Sequence, residues 1–138
     1  MKTTHTLTLA DAEFLLDQAQ KYAVENSFNV SIAVVDVTGS LLTMKRMDGA
    51  APISATICQE KAKCSALSTK PSKVFEDMIK NGRNGFLSIS NFVGLLEGGL
   101  PIVYEGQMVG AVGVSGVQSH QDADIAQHAI DKFLAQVN

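Results

Sequence analysis

Hydrophobic and polar positions along this chain follow two different periods, and the change from one to the other marks out its elements. After Thr8, the residues Ala12, Leu15, Leu16, Ala19, Tyr22 and Ala23 recur at i, i+3, i+4 and i+7. That spacing predicts a long helix with one buried stripe. Thr8 followed by Asp11 supplies its starting signal, and the polar run from Asn26 to Asn29 ends it. Val30-Ser31-Ile32-Ala33-Val34-Val35-Asp36-Val37 is apolar and β-branched, the composition of a strand covered on at least one face. Thr38-Gly39 supplies a turn, the run from Leu41 to Met47 returns as a second strand, and Asp48-Gly49 closes it. Pro52 then opens a second helix with Ile53, Ile57, Cys58, Ala62 and Ala66 on one side. Its many Ala and Ser residues suit a close approach to a sheet. Pro71 starts a short third helix carrying Val74, Phe75, Met78 and Ile79, which Asn81-Gly82 stops.

The stretch from Gly98 to Gly116 holds two more apolar runs joined at Glu105-Gly106. Glycine weakens a strand unless something must approach its backbone, and Gly110, Gly113 and Gly116 recur here at every third residue. Between Arg83 and Gly98 the pattern is mixed, and Phe86-Leu87-Ser88-Ile89 reads as either a short strand or an irregular loop. A last helix follows, with Asp122 as its cap, Asp124 in its first turn, and Ala126, Ala129, Ile130, Phe133, Leu134 and Val137 facing inward. Hairpins on both sides of a helical insertion predict an α+β fold. Helices would pack on an antiparallel sheet, not on a doubly wound parallel one.

Composition narrows the class. The 138 residues are expected to form one domain, 1–138, large enough for a hydrophobic core. A net charge of −3 without a Lys/Arg cluster argues against nucleic acid as a partner. No apolar run approaches the roughly 20 residues that span a bilayer, and no secretory leader is visible, so no membrane role and a cytoplasmic location are expected. Cys58 and Cys64 lie six residues apart, about 120° around a helix, which suits buried reduced thiols and not a mutual bridge.

The chemistry-bearing residues are few. Ser115 lies in Gly113-Val114-Ser115-Gly116-Val117, which lacks the last glycine of a nucleophile elbow, and His120 has no evident orienting acid. Asp124 and His128 share a helix face, with His120 and Asp122 upstream, but ligands on one helix end do not converge, so no metal site is expected. Arg46 and Asp48 end a strand on one side, and Lys61 lies in the middle of the covering helix. Beside a glycine-lined concavity, those two cations would suit a carboxylate-bearing ligand.

Ala33-Val34-Val35-Asp36 with Gly39, Arg46-Met47-Asp48-Gly49-Ala50, Lys61-Ala62, Gly98-Gly99-Leu100-Pro101 and the run from Val109 to Gly116 together resemble the GlcG/HbpS family. This is the haem-degrading or DUF336 domain, which also forms the C-terminal half of PduO-type proteins. The resemblance implies a profilin-like fold, a five-stranded antiparallel sheet flanked by helices, with Phe86 to Phe92 as a third strand or its approach. It implies self-association into a homodimer or a larger ring, up to an octamer, and haem as the cofactor. It also implies a small-molecule site at Arg46, Asp48, Lys61, Gly98, Gly99, Leu100, Pro101 and Ser115. In the family, iron is held by a His or Thr of the first helix, the second helix or the GG-x-P loop. Here the first helix offers Gln18, Gln20 and Lys21, and the loop carries Leu100. The expectation is therefore a cytosolic haem-binding protein without haem degradation. Two alternatives stand beside it: an enzyme or binder for a small carboxylate or lactone, and a structural oligomer without catalysis.

Overall fold

In the computed structural model, which describes residues 1–138, the first helix starts as its spacing predicts. Thr8 N donates to Asp11 Oδ2 at 2.8 Å, and Asp11 N donates to Thr8 Oγ1 at 3.2 Å, a reciprocal cap on α1 (Leu9–Glu25). Strands β1 (Ser31–Asp36) and β2 (Leu41–Arg46) form the first hairpin. Its turn is organised by Asp36, whose Oδ1 accepts Thr38 N at 2.8 Å and Ser40 N at 3.2 Å. Helices α2 (Ile53–Ser68) and α3 (Lys73–Lys80) follow, and then a short 3-10 turn, Asn84–Ser88. The second hairpin is β3 (Gly99–Tyr104) and β4 (Gln107–Ser115), and α4 (Ser119–Val137) completes the chain.

The sheet has four strands in the order β2-β1-β4-β3, all antiparallel. The period of two along β1 divides its side chains between two cores. Ile32 and Val34 point toward α1 and α4, where they join Leu15, Leu16, Val112 and Phe133. Ala33 and Val35 point the other way, against Cys58, Ala62 and Ala66 of α2. That second layer is thin because its residues are small. A side chain on Gly113 would overlap the Cys58 carbonyl and lie 2.5 Å from Ala62 N, so α2 rests almost on the strand backbone. No helix is long and apolar enough to cross a membrane.

Two expectations are corrected. The expected fifth strand is absent: residues 86–89 lie in and just after the 3-10 turn. Phe86 and Phe92 instead meet Phe75 of α3 edge-on, at 5.2 and 4.9 Å between ring centres, and form a third small core with Cys64 and Leu95. The outer edge of β3 is closed at its start by α3, since Ser72 N donates to Gly99 O at 3.0 Å. Pro101 shares the outward phase of Gly99, so its missing N–H costs the ladder nothing. The second correction concerns Asp122, which does not cap α4. Gln118 does, with its N donating to Gln121 Oε1 at 3.1 Å, and Asp122 lies in the first turn and is buried.

Candidate functional site

Lys61 lies on the face of α2 that meets the sheet, and its side chain runs to the end of β4 without reaching water. Its Nζ donates to Val114 O at 2.9 Å and to Asp122 Oδ2 at 3.2 Å. The two side chains are only 4% and 3% exposed. Asp122 Oδ1 in turn accepts Val117 N at 3.2 Å. One ammonium thus ties α2, β4 and the first turn of α4 together. Burial pushes the Asp122 carboxyl above its ordinary range, outweighing the pull of the Lys61 charge and of the Val117 N–H.

The glycines beside this pair make room for it. Gly98 has φ +133°, and a Cβ there would lie 2.7 Å from both Lys61 Nζ and Val114 O. A Cβ on Gly99 would lie 2.9 Å from Ser65 Oγ, a buried hydroxyl without a hydrogen-bond partner. Both glycines are buried under α2 and do not form the lip of an open pocket.

The other expected site residues scatter around this pair. Ser115 is buried and lies opposite Ser31, whose hydroxyl is 2.8 Å from that of Ser54. Arg46 lies opposite Ser31 on its other side, in β2, at the sheet edge farthest from β3. Arg46 and Asp48 are exposed, and neither forms an ion pair. Leu100 turns to the α1/α4 core, and Pro101 is half-buried on the outer strand. The structure therefore joins Lys61 with Gly98, Gly99 and the end of β4, and leaves Arg46 and Asp48 on the opposite edge. Lys61 is committed internally, so the expected two-cation clamp is not assembled.

No group of three or more His, Cys, Asp and Glu side chains converges. His128 stacks on Tyr22 at 4.3 Å, and His5 meets Tyr104 edge-on at 5.5 Å. Both cysteines are free and buried, and burial pushes each thiol up to about 12, which makes them packing residues, not nucleophiles.

Two features of the structure lie outside what the sequence pattern predicts. One is Asp122 as the partner of Lys61; its signal was an acid at the i−3 and i−4 positions of the inward residues Ile125 and Ala126. The other is a groove of about 550 Å³ between α3 and residues 87–96. Leu87, Ile89, Val93 and Leu96 line it while each remains more than 40% exposed. Lys80 and Glu76 also line it, with Lys80 Nζ 3.4 Å from Glu76 Oε2; outside the lining, Arg83 stacks on Phe86 with 5.1 Å to the ring centre. A run of apolar residues without helix or strand period was its only sequence signal.

Comparison with known proteins follows the motifs. Residues 7–131 match the model of a family described as haem degrading protein HbpS-like. Protein GlcG of Escherichia coli K12 is 45% identical over 115 residues, 83% of this chain and 85% of its own. The crystal structure of Klebsiella pneumoniae protein ORFY, of the DUF336 family, superimposes with a TM-score of 0.92 at 32% identity, over 98% of this chain and 95% of its own. That of a PduOC–haem complex superimposes with a TM-score of 0.81 at 26% identity, over 91% of this chain and 94% of its own. With a family match across nearly the whole chain and a relative of this identity, the protein belongs to the GlcG/HbpS family.

Proposed function

We propose that this protein binds a tetrapyrrole, haem in the first instance, with the macrocycle lying against the groove between α3 and residues 87–96. The observation that carries the reading is its likeness, over 91% of the chain, to a relative crystallised as a haem complex. The groove adds physical support. Ile79, Leu87, Ile89, Phe92, Val93 and Leu96 offer apolar surface to a flat ring, gaining roughly 25 cal/mol for each Å² removed from water. Lys80 at the rim suits the acidic side arms, and Arg83 lies three residues farther on.

The iron is another matter. None of the ten residues lining the groove is His, Cys, Met or Tyr, and the chain's three histidines lie on other elements. The residues present fit the macrocycle and its carboxylates but not the metal, so no step of haem breakdown follows. A small carboxylate or lactone clamped between Arg46 and Lys61 has less support, because Asp122 and Val114 O already engage Lys61. Arg46 remains in the proposal as an exposed surface cation for an anionic ligand, with the Asp48 carboxylate two residues on.

The test is a pair of titrations, one with hemin and one with metal-free protoporphyrin IX. Both are expected to saturate at comparable concentrations, because the ring and not the iron is held. Leu87→Asp, at a side chain 66% exposed, is expected to weaken both by about tenfold without unfolding the protein. Spectra identical to those in buffer would overturn the reading.

Self-association belongs to the same proposal. Ile53, Leu67 and Val103 lie outside the groove and are each at least half exposed. Light scattering is expected to give a dimer or a larger ring, and a monomer at micromolar concentration would contradict it.

A further inference from the structure

A smaller cleft of about 220 Å³ shares no residue with the groove. It lies where the segment before α1 crosses the β3–β4 hairpin and meets the end of α4. Three successive residues hold that segment down: His5 N donates to Gln107 Oε1 at 3.3 Å, Thr6 Oγ1 accepts Val37 N at 3.2 Å, and Leu7 N donates to Val109 O at 3.0 Å. Leu7, Val109 and Phe133 form an apolar floor, each 3–4% exposed. Tyr104 and Asp11 stand over it.

Asp11 is the one carboxylate that lines this cleft, and His5, edge-on to Tyr104, is its one imidazole. Asp11 Oδ2 accepts Thr8 N and Thr8 Oγ1 at 2.8 and 2.9 Å, while Oδ1 has no partner within the protein. Glu105 adjoins Tyr104, and its charge pushes the phenol above its ordinary range. Phe133 and Val137 belong to the C-terminal end of α4, the negative end of the helix dipole, whose last turn carries no basic residue. No Lys or Arg lines the cleft.

We propose that this cleft binds a small organic cation, a primary or methylated ammonium carried on a single ring or a short branched apolar body. The ammonium donates to Asp11 Oδ1 and lies against the π face of Tyr104, and the apolar body covers Leu7, Val109 and Phe133. A cavity of about 150 Å³ accommodates benzene, so this one holds a ring with a short arm. Asp11 repels the corresponding acids.

Phenethylamine and phenylacetate, matched in ring and arm but opposite in charge, are the probes, followed by calorimetry and by amide shifts in NMR. Saturable one-to-one binding of the amine alone, with shifts at Leu7, Tyr104 and Val109, supports the proposal. Asp11→Asn is expected to weaken it about tenfold. Val137→Trp, at a half-buried rim position that leaves the α1 cap intact, is expected to abolish it with an unchanged melting temperature. Equal binding of the acid, no saturable binding at millimolar amine, or undiminished affinity in Val137→Trp would each overturn the proposal.

Discussion

Lys61 and Asp122 set the terms at the scale of single residues, because each would be costly to bury without the other. With Lys61→Met, the Asp122 carboxylate keeps only the Val117 N–H, and the loss expected at neutral pH is about 3–5 kcal/mol in urea unfolding. Asp122→Asn should cost less, since its amide oxygen can still accept from Lys61 and burial already favours the neutral form. A smaller loss in Lys61→Met than in Asp122→Asn would show that the carboxylate, not the ammonium, is the better tolerated partner when buried alone. The pH dependence has a definite sign. The folded Asp122 carboxyl lies above its ordinary value of 3.8, so the folded state holds a proton that the unfolded chain has released. Its contribution is fully present below 3.8 and declines as pH rises through the folded value. The stability of Lys61→Met should therefore recover on acidification through that window more than that of Asp122→Asn, which cannot titrate there. The Lys61 position was legible from the motif and from its place on a covering helix. Its partner was not, because the two residues are separated by 61 positions and are joined only through packing.

At the scale of elements, the thin layer between α2 and the sheet is the most demanding. Gly113→Ala would drive a methyl group into the Cys58 carbonyl and Ala62 N, and a loss of about 1–3 kcal/mol is expected from thermal melts. Gly85→Ala is the matched control: nothing lies within 4 Å of its added Cβ and its φ is not positive, so a change within about 0.5 kcal/mol is expected. Equal effects at the two sites would show that backbone entropy, not close approach, explains the glycines of β4. The Ala/Ser-rich composition of α2 and the glycines of β4 made this contact readable in advance. The stretch from Phe86 to Ile89 was not readable, since its aromatic and branched residues suit a strand as well as they suit a small core. Phe75 decided it by offering both rings an edge-on partner.

At the scale of the whole molecule, the order β2-β1-β4-β3 is what separates the expected ligand residues. Arg46 and Pro101 occupy opposite edge strands, so residues that look like one motif set in the chain become two surfaces in the fold. The same topology brings α3 and residues 87–96 alongside each other and leaves an apolar groove in the open. Arg46→Ala is therefore expected to change hemin affinity by less than threefold, well under the effect of Leu87→Asp, because an exposed charge at the far edge contributes little. A larger loss on removing Arg46 would move the proposed site to the β2 edge.

Taken alone, the amino-acid order determined the helix and strand periods, the Thr8 cap, the two hairpins, the α+β class and the family, because each of these is written in local spacing or in ordered motifs. Only the tertiary structure decided the number of strands, the burial of Gly98 and Gly99 under Lys61, the pairing of Lys61 with Asp122, and the place of the open groove. These depend on which side chains meet across elements distant in the chain. The free energy of such meetings comes from shared burial, and no local pattern records it.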